Sequence, residues 1–206
     1  MIYWCRMFIS ILFNILGIFL FLFLFWKKLR EDYPANQIFS TGLFSLLGLA
    51  IFLFIFNKYL HPWWMYGGVL GMIVGLSLGI IKNKLRFYET YEAFVVSILP
   101  MLSFTFLIDS VGARSLFSFG YFIFIVILMG LAYFFDRHYK KFTWYRSGRI
   151  GFTGLTISGL FFLIRAIFAS FFPFMISFTG KYEVIVSGIF AFTFFLLVFN
   201  LARQRT

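Results

Sequence analysis

The chain is poor in the residues that conventional enzyme chemistry uses. It has one cysteine, Cys5, so no internal disulfide can form, and one thiol cannot hold a metal alone. Its two histidines, His61 and His138, both fall at predicted span ends and are too few for a zinc site. Seven carboxylates complete a thin stock of acid–base groups. The sequence contains no serine–histidine–acid arrangement that its topology would bring together, and no phosphate-binding glycine loop. No cofactor and no metal are therefore expected. Charged residues make up only 12% of the chain, about half the usual share of a soluble domain. A soluble domain of ordinary size has no room here.

What fills the chain is apolar. Hydrophobic residues make up 62%, and phenylalanine alone contributes 35, which suits a surface facing lipid. The formal net charge is +11. In a soluble protein that excess would point to nucleic acid. Here the basic residues form short clusters between apolar runs, so they read as orientation signals and contacts for anionic lipid. No nucleic-acid partner is expected.

About 20 apolar residues are needed to cross roughly 30 Å of hydrocarbon. Seven runs meet that need: Met7–Trp26, Ile38–Phe56, Trp63–Ile81, Ala93–Ile108, Ser115–Phe135, Ile150–Phe172 and Val184–Ala202. Helices are expected, because each then satisfies its own backbone polar groups. The fourth run is short and contains Pro100, which predicts a kink or an extension back towards Tyr91. The first run is too long for a cleaved signal peptide and is followed by no small-residue cleavage site. No linker, repeat or low-complexity tract divides the chain, so residues 1–206 are expected to form one transmembrane domain.

The connections alternate in basic residues. One set holds Lys27, Lys28, Arg30, Lys82, Lys84, Arg86, Arg137, Lys140, Lys141, Arg146, Arg149, Arg203 and Arg205. The other holds only Arg6, Lys58, Arg114 and Lys181. The basic face is expected in the cytoplasm, with the amino terminus outside and the carboxyl terminus inside. The fold class predicted is thus an all-α polytopic membrane protein.

Some residues inside these runs stand out. Gly67, Gly71, Gly75 and Gly79 are four apart, so they share one helical face that another helix can approach closely. Gly68 beside Gly67 makes a pair near the outer end, where a lipid head group could find room. Arg165 is the one charge inside a run, about 22 Å along the sixth span from Ile150. It can hold a lipid phosphate, pair with Asp109 at the same level, or snorkel to the interface. Glu89 and Glu92 read as interfacial carboxylates facing Lys82, Lys84 or Arg86. Trp63 and Trp64 fit an aromatic belt, and Phe135–Arg149, with Phe142, Trp144 and Tyr145, reads as an interfacial anchor. A proton-coupled transporter would show more buried ionisable groups than one arginine.

The order of these features resembles the prolipoprotein diacylglyceryl transferase family. The stretch Trp63-Trp64-Met65-Tyr66-Gly67-Gly68-Val69-Leu70-Gly71 is similar to that family's aromatic segment followed by His-Gly-Gly-Leu-x-Gly. Phe87-Tyr88-Glu89 leads into the fourth span as an aromatic pair and acid do in the family. Ser147-Gly148-Arg149-Ile150-Gly151 through Arg165 resembles its penultimate span, and Gly180–Arg205 its last helix and basic tail. Tyr66 stands at the motif histidine, Asp109 at an asparagine, and Ala169 at an acid one turn after the buried arginine. The arginine of the family's Arg-x-Gly-Asn is absent.

The resemblance implies transfer of a diacylglyceryl group from phosphatidylglycerol to the lipobox cysteine of a pre-lipoprotein, in a bacterial-type plasma (inner) membrane. It further implies Arg165 on the phosphate, Tyr66, Gly67 and Gly68 at the head-group wall, and Asp109 as the group that orients Arg165 or as a base. The partners expected are an anionic phospholipid of the outer leaflet and a pre-lipoprotein signal peptide. The alternative is a non-catalytic protein that keeps the fold and binds lipid or partner helices.

Overall fold

The computed structural model describes residues 2–113, 115–138, 152–173 and 177–203. These form α1 (Ile2–Leu29), α2 (Ala35–Tyr59), α3 (Trp64–Asn83), α4 (Phe87–Ala113), α5 (Leu116–His138), α6 (Phe152–Phe171) and α7 (Glu183–Arg203). Short 3₁₀ turns precede α3 and α7. Among the described residues, seven helices are long and apolar enough to cross a membrane. The expected extension of the fourth span is present. α4 begins at Phe87, and the two glutamates in its first turns are buried and paired.

Successive helices run antiparallel, so the heads of α3, α5 and α7 share one end of the bundle with the tails of α2, α4 and α6. We call this the Tyr66 end, and the opposite end, with Lys28 and Arg86, the basic end. α4 occupies the middle, packed extensively on α1 and α5 and less on α6. α2 and α3 form a tight hairpin, and so do α6 and α7. Large apolar side chains such as Phe54, Ile81 and Phe192 point outward, while Thr41, Ser45 and Ser97 are buried. This is the partition a lipid solvent favours, because small hydroxyls can bond backbone carbonyls inside.

The glycine periodicity explains the α2–α3 hairpin. A Cβ on Gly75 would lie 2.1 Å from the Phe44 carbonyl oxygen, and one on Gly71 would lie 2.4 Å from that of Gly48. Backbone meets backbone there, and neither carbonyl can move aside. Ser45 adds a cross-helix bond to the Met72 carbonyl at 3.1 Å. Gly67 and Gly68 belong to the same contact. On the side where a Cβ would stand, Phe56 covers Gly67, and Leu49 and Leu53 cover Gly68.

The anchor segment expected at 135–149 lies mostly outside the described residues, including Phe142, Trp144 and Tyr145. So do Ser147–Ile150 of the family-like stretch and the side chain of Cys5.

Candidate functional site

Arg165 projects from α6 into a largely buried polar cluster at the Tyr66 end. Its Nε donates to Glu183 Oε1 at 2.5 Å, Nη1 donates to Ser177 Oγ at 3.1 Å, and Nη2 donates to the Ser177 carbonyl. The guanidinium also lies over the Phe178 ring at 4.7 Å and the Tyr66 ring at 5.4 Å. Neither Arg165 nor Glu183 exposes any surface. A charge at this depth persists only with such compensation.

Glu183 is the hub. It stands at the head of α7, where the helix dipole favours an anion. Its Oε1 also accepts from the Tyr66 hydroxyl at 2.6 Å and the Ser187 hydroxyl at 2.7 Å. Its Oε2 accepts from the Thr179 backbone N–H at 3.0 Å and the Thr179 hydroxyl at 3.2 Å. The carboxylate thus ties α3, α6 and the turn before α7 to one point. Beside it the Tyr121 hydroxyl is buried and turned towards Arg165, with no hydrogen-bond partner in good geometry among the described residues. Phe106 and Phe168 are among the rings that enclose it.

Two of the expected site residues therefore meet, Arg165 and Tyr66, through Glu183. Asp109 does not join them. Its carboxylate accepts from Ser118 Oγ on α5, and it forms no ion pair among the described residues. The acid that orients Arg165 is Glu183. This corrects the expected Arg165–Asp109 pair, because equal depth in a bundle does not make two side chains face each other. Sequence reasoning missed Glu183, which sits one residue ahead of the apolar run Val184–Ala202. Two signals were present: a threonine four residues before a glutamate at a helix start, a near relative of a capping box, and Ser187 one turn later on the same face.

Tyr66 also faces a cavity. A space of about 400 Å³ lies between α3 on one side and α4, α6 and α7 on the other. α3 packs extensively on α2 but makes no comparable contact with α4, α6 or α7. The lining is almost entirely apolar, and its hydroxyl-bearing residues are Tyr66, Tyr91 and Ser158. The Tyr91 and Ser158 hydroxyls are 3.0 Å apart. Leu70, Ile73 and Phe190 on the wall are exposed, so the cavity opens sideways between helices. A smaller space of about 160 Å³ lies across α3, touched by Gly68, Thr105 and Ser177.

At the basic end, Lys28 Nζ lies 3.3 Å from Glu92 and also pairs with Asp136, while Arg86 and Tyr33 bond Glu89 at 2.9 and 2.6 Å. Burial, and then the bond to Glu89, holds the Tyr33 phenol above its ordinary pKa. Glu89 meets Arg86 as expected, whereas Glu92 meets Lys28 on α1. Among the described residues no three His, Cys, Asp or Glu side chains gather as metal ligands.

No protein-family model, curated protein or solved structure matches the chain.

Proposed function

We propose that this chain is a lipid-binding membrane protein that holds one apolar lipid chain in the cavity between α3, α4, α6 and α7. The observation that carries the reading is the cavity itself. At about 400 Å³ it falls within the range of small-molecule sites, and it opens sideways from membrane-length helices. The asymmetry of basic residues supports an amino terminus outside, which puts the Tyr66 end in the outer leaflet of a plasma membrane.

The group transfer implied by family resemblance needs a cation free to take the charge of a departing phosphate. All three Arg165 nitrogens are engaged, and the side chain is wholly buried. Tyr66 gives its proton to Glu183 rather than serving as a base. Binding without group transfer is therefore the reading that the geometry favours.

Native mass spectrometry of the purified protein tests it. Leu70 is 49% exposed on the cavity wall, so Leu70→Trp should plug the space at little cost to folding. We expect co-purified lipid on the parent protein and at least about tenfold less on the variant, with helicity unchanged. Equal lipid on both would sink the cavity reading. In parallel, phosphatidylglycerol and a lipobox peptide should give no thioether. A product that Arg165→Ala abolishes would restore the transferase.

A further inference from the structure

We infer that the α2–α3 hairpin is a side gate to the cavity, hinged at the basic end and latched at the other end by Tyr66. This rests on the cavity being a lipid site and adds how a lipid enters it.

The hairpin is built to move as one body. A Cβ on Gly71 or Gly75 would strike the backbone of α2, so the two helices touch main chain to main chain. Asn83 Nδ2 donates to Thr41 Oγ1 at 2.9 Å, and Ser45 bonds the Met72 carbonyl. Helices joined so closely stay together, and displacement falls on the hairpin's borders with the other helices.

Those borders differ from end to end. At the basic end α2 seats on α1, where Leu22 and Phe25 lie 3.0 and 3.5 Å from the Cβ position of Gly42. Tyr33, in the turn that leads into α2, donates to Glu89 of α4 at 2.6 Å. α3 ends in a left-handed turn at Lys84, and Leu85 after it is buried in the core. At the Tyr66 end α3 stands between two spaces, the cavity of about 400 Å³ and the smaller one of about 160 Å³. Val69 of α3 and Ile98 and Leu102 of α4 border both. There α3 and α4 face each other across unfilled volume rather than through interlocked side chains, so little dispersion attraction is lost when they part. Lipid chains are as apolar as the side chains they would touch, so no hydrophobic penalty replaces it.

Tyr66 spans that border. Its hydroxyl donates to Glu183 Oε1 at 2.6 Å and lies 2.9 Å from Ser187 Oγ. It can let go without stranding a charge, because Glu183 keeps Arg165, Ser187 and both Thr179 donors. The lever from Asn83 to Tyr66 is about 26 Å at 1.5 Å per residue, so a tilt of about 10° moves Tyr66 by about 4–5 Å. That opens a lateral entrance about one hydrocarbon chain wide.

The test removes the latch and reads both motion and entry. Tyr66→Phe keeps the ring and deletes only the hydroxyl. In a Cys5→Ser background, spin labels at the exposed positions Tyr59 and Ile185 report the Tyr66 end, and labels at Ile81 and Phe199 the basic end. In nanodiscs a longer Tyr59–Ile185 distance, scarce in the parent, should grow about tenfold in Tyr66→Phe, the usual weight of a hydrogen bond to a charged group. The Ile81–Phe199 distance should not change. Delipidated protein is then loaded with dipalmitoyl phosphatidylglycerol and chased with its chain-deuterated form, and native mass spectrometry follows the replacement. Exchange should be about tenfold faster in Tyr66→Phe. Tyr33→Phe deletes a phenol–carboxylate bond of the same length at the hinge, and it should leave exchange within about twofold. Unchanged helicity shows that each variant remains folded. Three results overturn the gate: no change at Tyr59–Ile185 or in exchange with Tyr66→Phe, equal lengthening at Ile81–Phe199, or equal acceleration by Tyr33→Phe. If the parent retains no phosphatidylglycerol, or Leu70→Trp retains as much, the cavity reading falls and the gate's role in entry with it. The two label pairs then still decide whether the hairpin swings.

Discussion

The two ends of the bundle handle ionic groups in opposite ways. At the Tyr66 end one arginine and one glutamate share a site with no exposed surface, and they bond each other, Ser177, Thr179, Tyr66 and Ser187. At the basic end Lys28 is 29% exposed and Asp136 46% exposed, and Arg86 is more exposed still at 79%. Water and head groups can solvate a charge at the basic end when its partner is removed. The protein alone solvates the charges at the Tyr66 end. The lesson is that similar ion pairs carry different weight, set by what surrounds them rather than by distance.

The sharpest way to break that contrast is Glu183→Gln. It leaves the Arg165 charge buried beside Ser177 and two rings, with no counter-ion. Loss of one partner from a buried pair costs about 3–5 kcal/mol, so the variant should unfold far more readily in a denaturant titration in mixed micelles. Replacing Arg165 and Glu183 together by methionine should cost less than Glu183→Gln alone, because no orphan charge remains. Additive losses in the double variant would show that the pair is no more coupled than the pairs at the basic end.

The sequence disclosed these regions unevenly. Seven helices were readable because an apolar run of membrane length has few other fates, and the spacing of Gly67, Gly71, Gly75 and Gly79 declared a packing face. Which helix would fill that face was not readable. Phe56, Leu49 and Leu53 claim Gly67 and Gly68, and nothing local to those glycines says so. Arg165 was conspicuous as a charge inside a run. Glu183 was hidden by standing just outside one, next to Lys181 and Tyr182, where a glutamate looks solvated. Asp109 was a fair choice by depth, but the side of α4 that carries it faces Ser118 on α5. The cavity lining was masked by abundance. With phenylalanine at 35 positions, only the fold could place Phe162, Phe190 and Phe194 on it.

At the basic end Asp136→Asn should cost no more than about 1 kcal/mol, the usual worth of an exposed ion pair, and the loss should shrink further in high salt. The same titration in mixed micelles reads it directly. A loss comparable to that of Glu183→Gln would mean that Lys28 is not solvated as its exposure implies.

The smallest effect belongs to Tyr33. Its phenol donates to Glu89 at 2.6 Å and accepts from the Arg86 backbone N–H at 3.2 Å, tying the α1–α2 turn to the head of α4. The folded pKa is raised, by burial first and the Glu89 bond second. The contribution of this contact is therefore complete below the unfolded value near 10, and it is lost as pH climbs through the raised folded value. A phenolate beside the Glu89 carboxylate repels it and no longer has a proton to give. Hydrogen exchange should show the α1–α2 turn opening locally above about pH 10 while the Arg165 cluster stays protected. In Tyr33→Phe that alkaline step should vanish, since no titrating group remains at the contact. An unchanged step in the variant would assign it to another group and remove Tyr33 from the set of contacts that distinguish the solvated end from the sealed one.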